Sequence, residues 1–286
     1  MRGEDSKNSK NVTNLRGGGF MKKLILIFIV CFLCFSSTAW AQFVNGDFEL
    51  GDTSGWTLGG GYRANIYNNT YAPILNPIDF LPGGANYSTS SGGYPRSAIV
   101  TPGVAPYTDN NLNRVYGGSY AFRAEDLTYG GYASVITQRV NNYTDPNIFF
   151  AWAAVLEGAH SDYDAATFKL VLRDETAGTD LITREYNAAS GGGGVDQRFT
   201  LSSDGYYYTP WQTEQLVLGD AVGNDFSLTL LASDCEPTGH AGMVYLDGFG
   251  AAIPDQGTPV PEPATMLLLG SGLIGLAGYA RRRFKK

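Results

Sequence analysis

Short runs of alternating apolar and polar residues, broken by Gly, Pro, Asn and Asp, fill most of this 286-residue chain. The segments 168–173 and 226–230 each place large apolar side chains at every second position, which is the period of a strand with one buried face. The segment Ile148–Leu156 is almost continuously apolar, as expected for a strand at the centre of a sheet. No long amphipathic helical pattern interrupts these runs. The sequence therefore predicts an all-β fold, a β-sandwich of the jelly-roll type.

Two further strands are predicted at Ser134–Val140 and Met243–Leu246. Phe168–Asp174 and Leu181–Tyr186 flank a short polar segment that contains Asp, Thr and Gly, so they are predicted to form a hairpin. Residues 68–115 are rich in Asn, Pro, Ser, Gly and Tyr, and this composition predicts long loops around the sandwich.

The N-terminal region contains the three parts of a Sec-type signal peptide. Met21–Lys23 is positively charged, Leu24–Phe35 is a 12-residue apolar helical core, and the Ala-Trp-Ala that ends at Ala41 provides the small residues of a cleavage site. Cleavage is predicted between Ala41 and Gln42. Residues 1–20 are polar and do not fit in front of a signal peptide, so we expect translation to start at the methionine that follows them.

The C-terminal segment has three parts in a fixed order. A Pro-Glu-Pro turn, an uncharged run of 17 residues and an arginine cluster follow one another: Pro261, Glu262, Pro263, then Ala264–Ala280, then Arg281, Arg282 and Arg283. As a helix the uncharged run spans about 25 Å, at the short end of what a single transmembrane helix needs. The cationic end favours a cytoplasmic position for the C-terminus.

This order resembles the PEP-CTERM sorting signal of exported proteins from Gram-negative bacteria. The resemblance implies that the Sec machinery and an exosortase are partners, and that the membrane holds the protein through its C-terminal helix before processing. It also implies transient anchoring in the inner membrane, followed by release to the cell surface or the extracellular matrix. The alternative is an ordinary C-terminal membrane anchor that is not processed.

The segment between the two signals, 42–260, is strongly acidic. It holds 24 of the 27 acidic residues and nine of the 20 basic residues, so its formal charge is −15 against −7 for the whole chain. This charge excludes nucleic acid as a favourable partner and favours divalent cations and neutral polymers. Of the three cysteines, Cys235 alone lies outside the signal peptide. An internal disulfide is therefore excluded, and we expect Cys235 to be buried as a small apolar residue.

The acidic segment carries a second resemblance. Val44–Glu49 followed by Ser54–Trp56 resembles the opening of galactose-binding-like jelly rolls and of carbohydrate-binding modules. Tyr116–Arg123 is similar to the next strand of those domains, and Ala232–Asp247 to the closing strand of β-sandwich domains in exported surface proteins. The resemblance implies one domain. The expected order is a mis-annotated start, a signal peptide, the β-sandwich, a linker and the sorting signal: 1–20, 21–41, 42–252, 253–260 and 261–286.

Sandwiches of this kind often hold a structural calcium ion where the first and last strands meet. The matching acidic residues are Asp47, Glu49 and Asp247, and carboxylate oxygens are the ligands that calcium prefers. No other cofactor is expected. The alternative assigns these residues to a turn, a solvent-exposed position and a strand end. Asp162 and Asp164 form a second, weaker acidic pair.

Few residues suit catalysis. The acidic segment has two histidines, His160 and His240, and no nucleophile-elbow pattern. Asp234, Cys235 and His240 suit either a thiol–histidine pair or, preferably, a polar cluster that ties the last hairpin together. Paired carboxylates for glycoside hydrolysis stay open, because the sequence gives no distances between the acids.

An aromatic cluster is the candidate sugar contact: Tyr206, Tyr207, Tyr208 and Trp211. Aromatic faces stack on sugar rings, although the same residues also build sandwich cores. The sequence thus predicts a non-catalytic exported protein with a structural or adhesive role in the envelope or an exopolysaccharide biofilm. The alternatives are a lectin-like carbohydrate-binding module, which calcium would stabilise, and thirdly an unrecognised hydrolase.

Overall fold

The computed structural model describes residues 42–63, 75–88, 96–161, 164–235, 239–250 and 252. All of them belong to one unit of the chain, Ala41–Lys286. The predicted signal peptide, the predicted membrane span and the sorting segment lie outside the described residues. In the described part of the chain, no helix has the length and the hydropathy that a membrane crossing requires.

The described residues form two antiparallel sheets, and the five-stranded sheet has the order β1-β4-β11-β6-β7. Alternating apolar residues explain these strands, because every second side chain points to the same buried side. The bounds are β1 Thr57–Tyr62, β4 Tyr132–Val140, β6 Thr167–Asp174, β7 Thr179–Asn187 and β11 Phe226–Ser233.

The second sheet has seven strands within the described residues, in the order β2-β3-β12-β5-β9-β8, with β10 also paired to β5. Its bounds are β2 Ala98–Val100, β3 Ala121–Ala124, β5 Asn147–Glu157, β8 Thr200–Leu201, β9 Tyr206–Tyr208, β10 Gln212–Val217 and β12 Gly242–Gly250. The chain crosses between the sheets repeatedly, as from β3 to β4, from β4 to β5 and from β11 to β12. This connectivity gives a β-sandwich of the jelly-roll type.

Within the part of the chain that the structure describes, the buried apolar residues form three clusters. The largest fills the space between the sheets and includes Trp152, Phe168 and Leu246. A second cluster lies on the outer side of the seven-stranded sheet, where residues 101–116 cover it. A third lies on the outer side of the five-stranded sheet, under the segment 75–88. Strand β5 is therefore buried on both faces, which explains its nearly continuous apolar sequence.

The predicted strands agree closely with the observed ones. The hairpin is confirmed as β6 and β7, with Leu170 opposite Arg184, and the alternating segment 226–230 lies in β11. One expectation was too broad. Tyr116–Arg123 was predicted to be a strand, but β3 begins only at Ala121, and the preceding residues form an irregular segment with Gly118 at φ +66°.

Candidate functional site

The opening motif forms a compact loop that docks on the last strand. The indole N–H of Trp56 donates to the carbonyl of Asn45 at 3.0 Å. The Asn45 amide oxygen accepts from the N–H of Leu50, and the N–H of Phe249 donates to the Gly46 carbonyl at 2.9 Å. Phe48 is fully buried. These contacts join the first loop to β12, so the polar and aromatic residues of the motif have a structural role.

Two of the three predicted calcium ligands hold the segment 116–120 through backbone hydrogen bonds. The N–H groups of Ser119 and Tyr120 donate to one Glu49 carboxylate oxygen at 2.8 and 3.0 Å. The N–H groups of Tyr116 and Gly117 donate to one Asp247 oxygen at 3.0 and 3.1 Å. Both carboxylates therefore act as anchors at the junction where the calcium ion was predicted.

Asp247 is 1% exposed, and burial raises its pKa to about 7, while the nearby Glu49 carboxylate also raises it. Asp47 is exposed and accepts the N–H of Glu49 at 3.3 Å. The three residues do not form a group in which all ligand atoms lie within 4.8 Å of one another; among the described residues a different set does. Calcium binding stays a prediction.

The predicted sugar-contact residues mainly build the second cluster. Tyr206 and Tyr208 are 5% and 6% exposed, and Tyr207 is half-buried against the central core. Trp211 packs against the second cluster and donates its indole N–H to the Asn113 carbonyl at 2.8 Å. The rings of Tyr206 and Tyr208 therefore face protein rather than solvent, and a sugar contact by these two rings is not supported.

An open cleft lies beside this cluster. It has a volume of about 410 Å³ and is bordered by the loop 104–110 together with Ser203 and Asp204. Tyr107 is 41% exposed, and its ring stacks on Tyr206 with centroids 4.3 Å apart and an interplanar angle of 5°. One face of the Tyr107 ring is thus supported by a buried ring, while the side chain borders the cleft. We refer to this site as the Tyr107 cleft.

The loop that borders the Tyr107 cleft has an unusual backbone. Tyr107, Asp109 and Asn110 have φ angles of 59°, 48° and 63°, in the left-handed region that non-glycine residues seldom adopt. The Asp109 carboxylate holds this conformation by accepting the Ser203 hydroxyl at 2.6 Å and the Ser203 N–H at 3.2 Å. Residues kept in such conformations are enriched at ligand-binding sites, where the fold fixes the strained geometry.

A buried charge network lies at one end of the sandwich. The Arg96 guanidinium donates to Glu125 at 3.2 Å and to Asp234 at 2.9 Å, and all three side chains are nearly or fully buried. Burial raises the pKa of both carboxyls, and the Glu125 carboxylate raises the pKa of Asp234 further, while Arg96 offsets only part of these effects. Asp234 therefore faces Arg96, and it does not join Cys235 and His240 as the sequence had allowed.

A separate group of polar side chains consists of His160, Cys235 and His240. Their ligand atoms all lie within 4.8 Å of one another. The Cys235 sulfur is 3.6 Å from Nδ1 of His240, and the two imidazole rings are 5.1 Å apart and nearly perpendicular. Burial raises the pKa of the Cys235 thiol and lowers the pKa of His240. The predicted proximity of Cys235 and His240 is observed, whereas the contribution of His160 was not predicted.

The described fold defines the protein's class as an antiparallel β-sandwich. Outside it, residues 259–283 match the family model of the PEP-CTERM protein-sorting motif. The predicted sorting signal, with its Pro-Glu-Pro and three arginines, is thereby confirmed, and it indicates an exported protein of a Gram-negative bacterium.

Several solved structures are similar in fold. The carbohydrate-binding module TmCBM61 in complex with β-1,4-galactotriose has a TM-score of 0.36 at 12% identity, over 73% of this chain and 95% of that one. A non-crystalline cellulose specific module, CBM28, has a TM-score of 0.34 at 14% identity, over 72% and 92%. The enzymatically active domain of tailspike protein 4 from bacteriophage CBA120 has a TM-score of 0.33 at 10% identity, over 74% and 21%.

These likenesses are too distant to assign a ligand or an activity to this chain. No curated protein sequence matches it.

Proposed function

We propose that this protein is exported, sorted to the cell surface or extracellular matrix through its C-terminal motif, and binds polysaccharide at the Tyr107 cleft without catalysis. In this proposal cleavage after Ala41 removes the signal peptide, and the folded domain of the mature protein is the β-sandwich, 42–252. A structural or adhesive role in an exopolysaccharide biofilm follows, because a surface domain that holds a matrix polymer links the cell to it.

The observation that carries the binding proposal is the exposed Tyr107 ring on an open, polar cleft. A sugar ring presents apolar C–H faces and equatorial hydroxyls, so a typical site combines an aromatic face with hydrogen-bonding groups around it. The stacked Tyr206 holds the Tyr107 ring in place. Exposed Asp109, Asn110, Ser203 and Asp204 line the same cleft.

The charge of the protein favours a neutral polymer. With a formal charge of −15 on the segment 42–260, an anionic polysaccharide would be repelled at low salt. The cleft is also open rather than enclosed and is lined by two carboxylates, Asp109 and Asp204. An open cleft suits a stretch of a long chain better than a small buried ligand. We therefore expect the ligand to be a neutral glycan.

The binding test compares two tyrosines that are exposed to the same extent and that each contact another tyrosine ring. Tyr107, in the loop 104–110, is 41% exposed and stacks on Tyr206. Tyr62, in strand β1 of the five-stranded sheet, is 40% exposed and contacts Tyr132 with ring centroids 5.3 Å apart. A panel of neutral and anionic polysaccharides is screened by affinity electrophoresis and calorimetry. Tyr107→Ala should weaken binding of the best neutral polymer at least about tenfold, which is about 1.4 kcal/mol, while Tyr62→Ala should leave it unchanged.

Equal binding by wild type and Tyr107→Ala would refute the site. If no polymer of the panel binds, the purely structural role is favoured over a binding module. Product formation from any glycoside or ester substrate would instead support the hydrolase and contradict the non-catalytic proposal.

The sorting part of the proposal is tested separately. A rigid turn at Pro261–Pro263 outside a membrane helix suits recognition by a membrane protease such as an exosortase. The intact mass of the exported protein, measured in a strain with an active exosortase, should lack the span Ala264–Ala280 and everything after it. Replacing Glu262 by Ala should slow this processing. A mature protein that retains Lys286 would contradict the proposal.

A further inference from the structure

We propose that His160, Cys235 and His240 form a binding site for a divalent transition-metal ion, and that zinc is the ion it suits best. A thiolate and two imidazoles are ligands that zinc prefers, and three protein ligands leave one tetrahedral position for water. The site lies at the end of the sandwich where the β5–β6 connection meets the β11–β12 turn.

The spacing of the ligand atoms fits tetrahedral coordination. Zinc lies about 2.3 Å from a thiolate sulfur and about 2.0–2.1 Å from an imidazole nitrogen, so a tetrahedral angle places sulfur and nitrogen about 3.6 Å apart. The distance from the Cys235 sulfur to Nδ1 of His240 is 3.6 Å. The third ligand atom, on His160, lies within 4.8 Å of both, and His160 is exposed enough to turn toward the ion.

The cysteine sulfur is set among backbone donors. The N–H groups of Gly239 and His240 lie 3.2 and 3.1 Å from the Cys235 sulfur. Hydrogen bonds of this kind stabilise a thiolate and orient it toward a metal. On binding, the Cys235 thiol loses its proton to solvent and the sulfur lone pair forms the bond to zinc, while both imidazoles bind as neutral rings.

Strand pairing holds the ligands in place. The N–H of Cys235 donates to the His240 carbonyl at 2.9 Å, which joins these two residues directly. Glu157, at the end of β5, receives the N–H of Ala241 on its carboxylate and donates its own N–H to the Ala241 carbonyl. The end of β5, three residues before His160, is therefore joined to Ala241, the residue that follows His240.

The composition of the chain strengthens the inference. The whole sequence contains two histidines, and both lie in this cluster, although they are 80 positions apart. They meet the cysteine that remains after the predicted signal-peptide cleavage. A direct thiol–imidazole hydrogen bond between Cys235 and His240 is the competing explanation, and it does not require His160.

The test uses the exported protein, purified without a polyhistidine tag. After removal of bound metal, titration with Zn²⁺ should show one ion per chain, and Co²⁺ should give the near-ultraviolet band of a thiolate–cobalt bond. His160→Ala is the main variant, because its exposed side chain can be removed without opening the core. We expect it to lower zinc affinity more than about tenfold, since even the loss of an outer partner costs about 10–100-fold. Its melting temperature in excess chelator should equal that of the wild type.

Cys235→Ser should abolish the thiolate–cobalt band. Asp220→Asn is the control: it removes an exposed carboxylate near the start of β5, at the other end of that strand from Glu157, so stoichiometric binding and the band should persist. The proposal is overturned if the wild type binds no stoichiometric zinc. It is also overturned if His160→Ala binds zinc as tightly as the wild type, or if the cobalt band survives Cys235→Ser.

Discussion

At the scale of single residues, close contacts explain why glycine is needed at two positions of the sequence motifs, Gly46 and Gly118. A Cβ on Gly46 would lie 1.7 Å from the Phe249 carbonyl oxygen, so only glycine lets the first loop approach the last strand this closely. Gly118 has φ +66°, and a Cβ there would lie 2.3 Å from a Glu49 carboxylate oxygen. Both glycines are therefore required by close contacts, Gly46 with the backbone of β12 and Gly118 with the Glu49 carboxylate.

The first prediction concerns Gly46→Ala. The added methyl group would collide with backbone atoms that cannot rotate away, so the first loop must move from β12. Overpacking of this kind costs about 1–3 kcal/mol or more, which for a domain of this size lowers the melting temperature by roughly 2–4 °C per kcal/mol. Gly250→Ala is the control, because nothing lies within 4 Å of the added atom. Equal melting temperatures for the two variants would show that the docking contact does not matter.

At the scale of elements, the strands were predictable and the segments that cover them were not. Alternation identified β6 and β11, because one buried face imposes a period of two on the sequence. The polar turn after β6 predicted β7 as its hairpin partner. The segment 101–116 shows no period, yet it covers the outer face of the seven-stranded sheet. Its placement depends on distant partners, such as the hydrogen bond from the Asn111 amide to the Tyr208 hydroxyl at 3.0 Å.

The second prediction concerns the junction of the first loop, the segment 116–120 and β12. If calcium binds through Asp47, Glu49 and Asp247, saturating calcium at about 100 times its dissociation constant adds about 2.7 kcal/mol to the folded state. The melting temperature should then be roughly 5–11 °C higher than in a calcium-selective chelator. Asp47→Asn should reduce this difference, since Asp47 is exposed and is not one of the two carboxylates that anchor the segment. Identical melting temperatures with calcium and with chelator would remove the ion from this junction.

At the scale of the whole molecule, buried carboxyl groups make stability depend on pH. Glu125 and Asp234 share Arg96, with Asp126 also raising the pKa of Glu125, and Asp247 lies near Glu49. Each pKa is raised in the folded state, so the folded protein binds protons more tightly than the unfolded chain. Stability from these groups is therefore greatest at low pH and is lost as pH rises from the unfolded pKa, about 4, through the folded values.

The third prediction follows from this loss of stability with rising pH. The melting temperature should fall between pH 5.5 and pH 8. Asp247→Asn should make this fall smaller, because the amide stays uncharged, whereas ionising the buried carboxyl costs about 1.4 kcal/mol per unit of pKa shift. The same substitution at exposed Asp204 should leave the profile as in the wild type. The profile is measured by calorimetry at constant ionic strength. A melting temperature that rises steadily from pH 5.5 to pH 8 would contradict the assignment of raised pKa values.

The sequence by itself determined the sorting signal, the antiparallel strands and the β-sandwich class. These features depend on the local order of residues: a Pro-Glu-Pro before an apolar run, or apolar side chains at every second position. Only the tertiary structure decided that Tyr206 and Tyr208 are buried, that Tyr107 borders a cleft, and that His160 meets Cys235. Such contacts join residues far apart in the chain, and strand pairing and loop docking, which no local pattern encodes, bring them together.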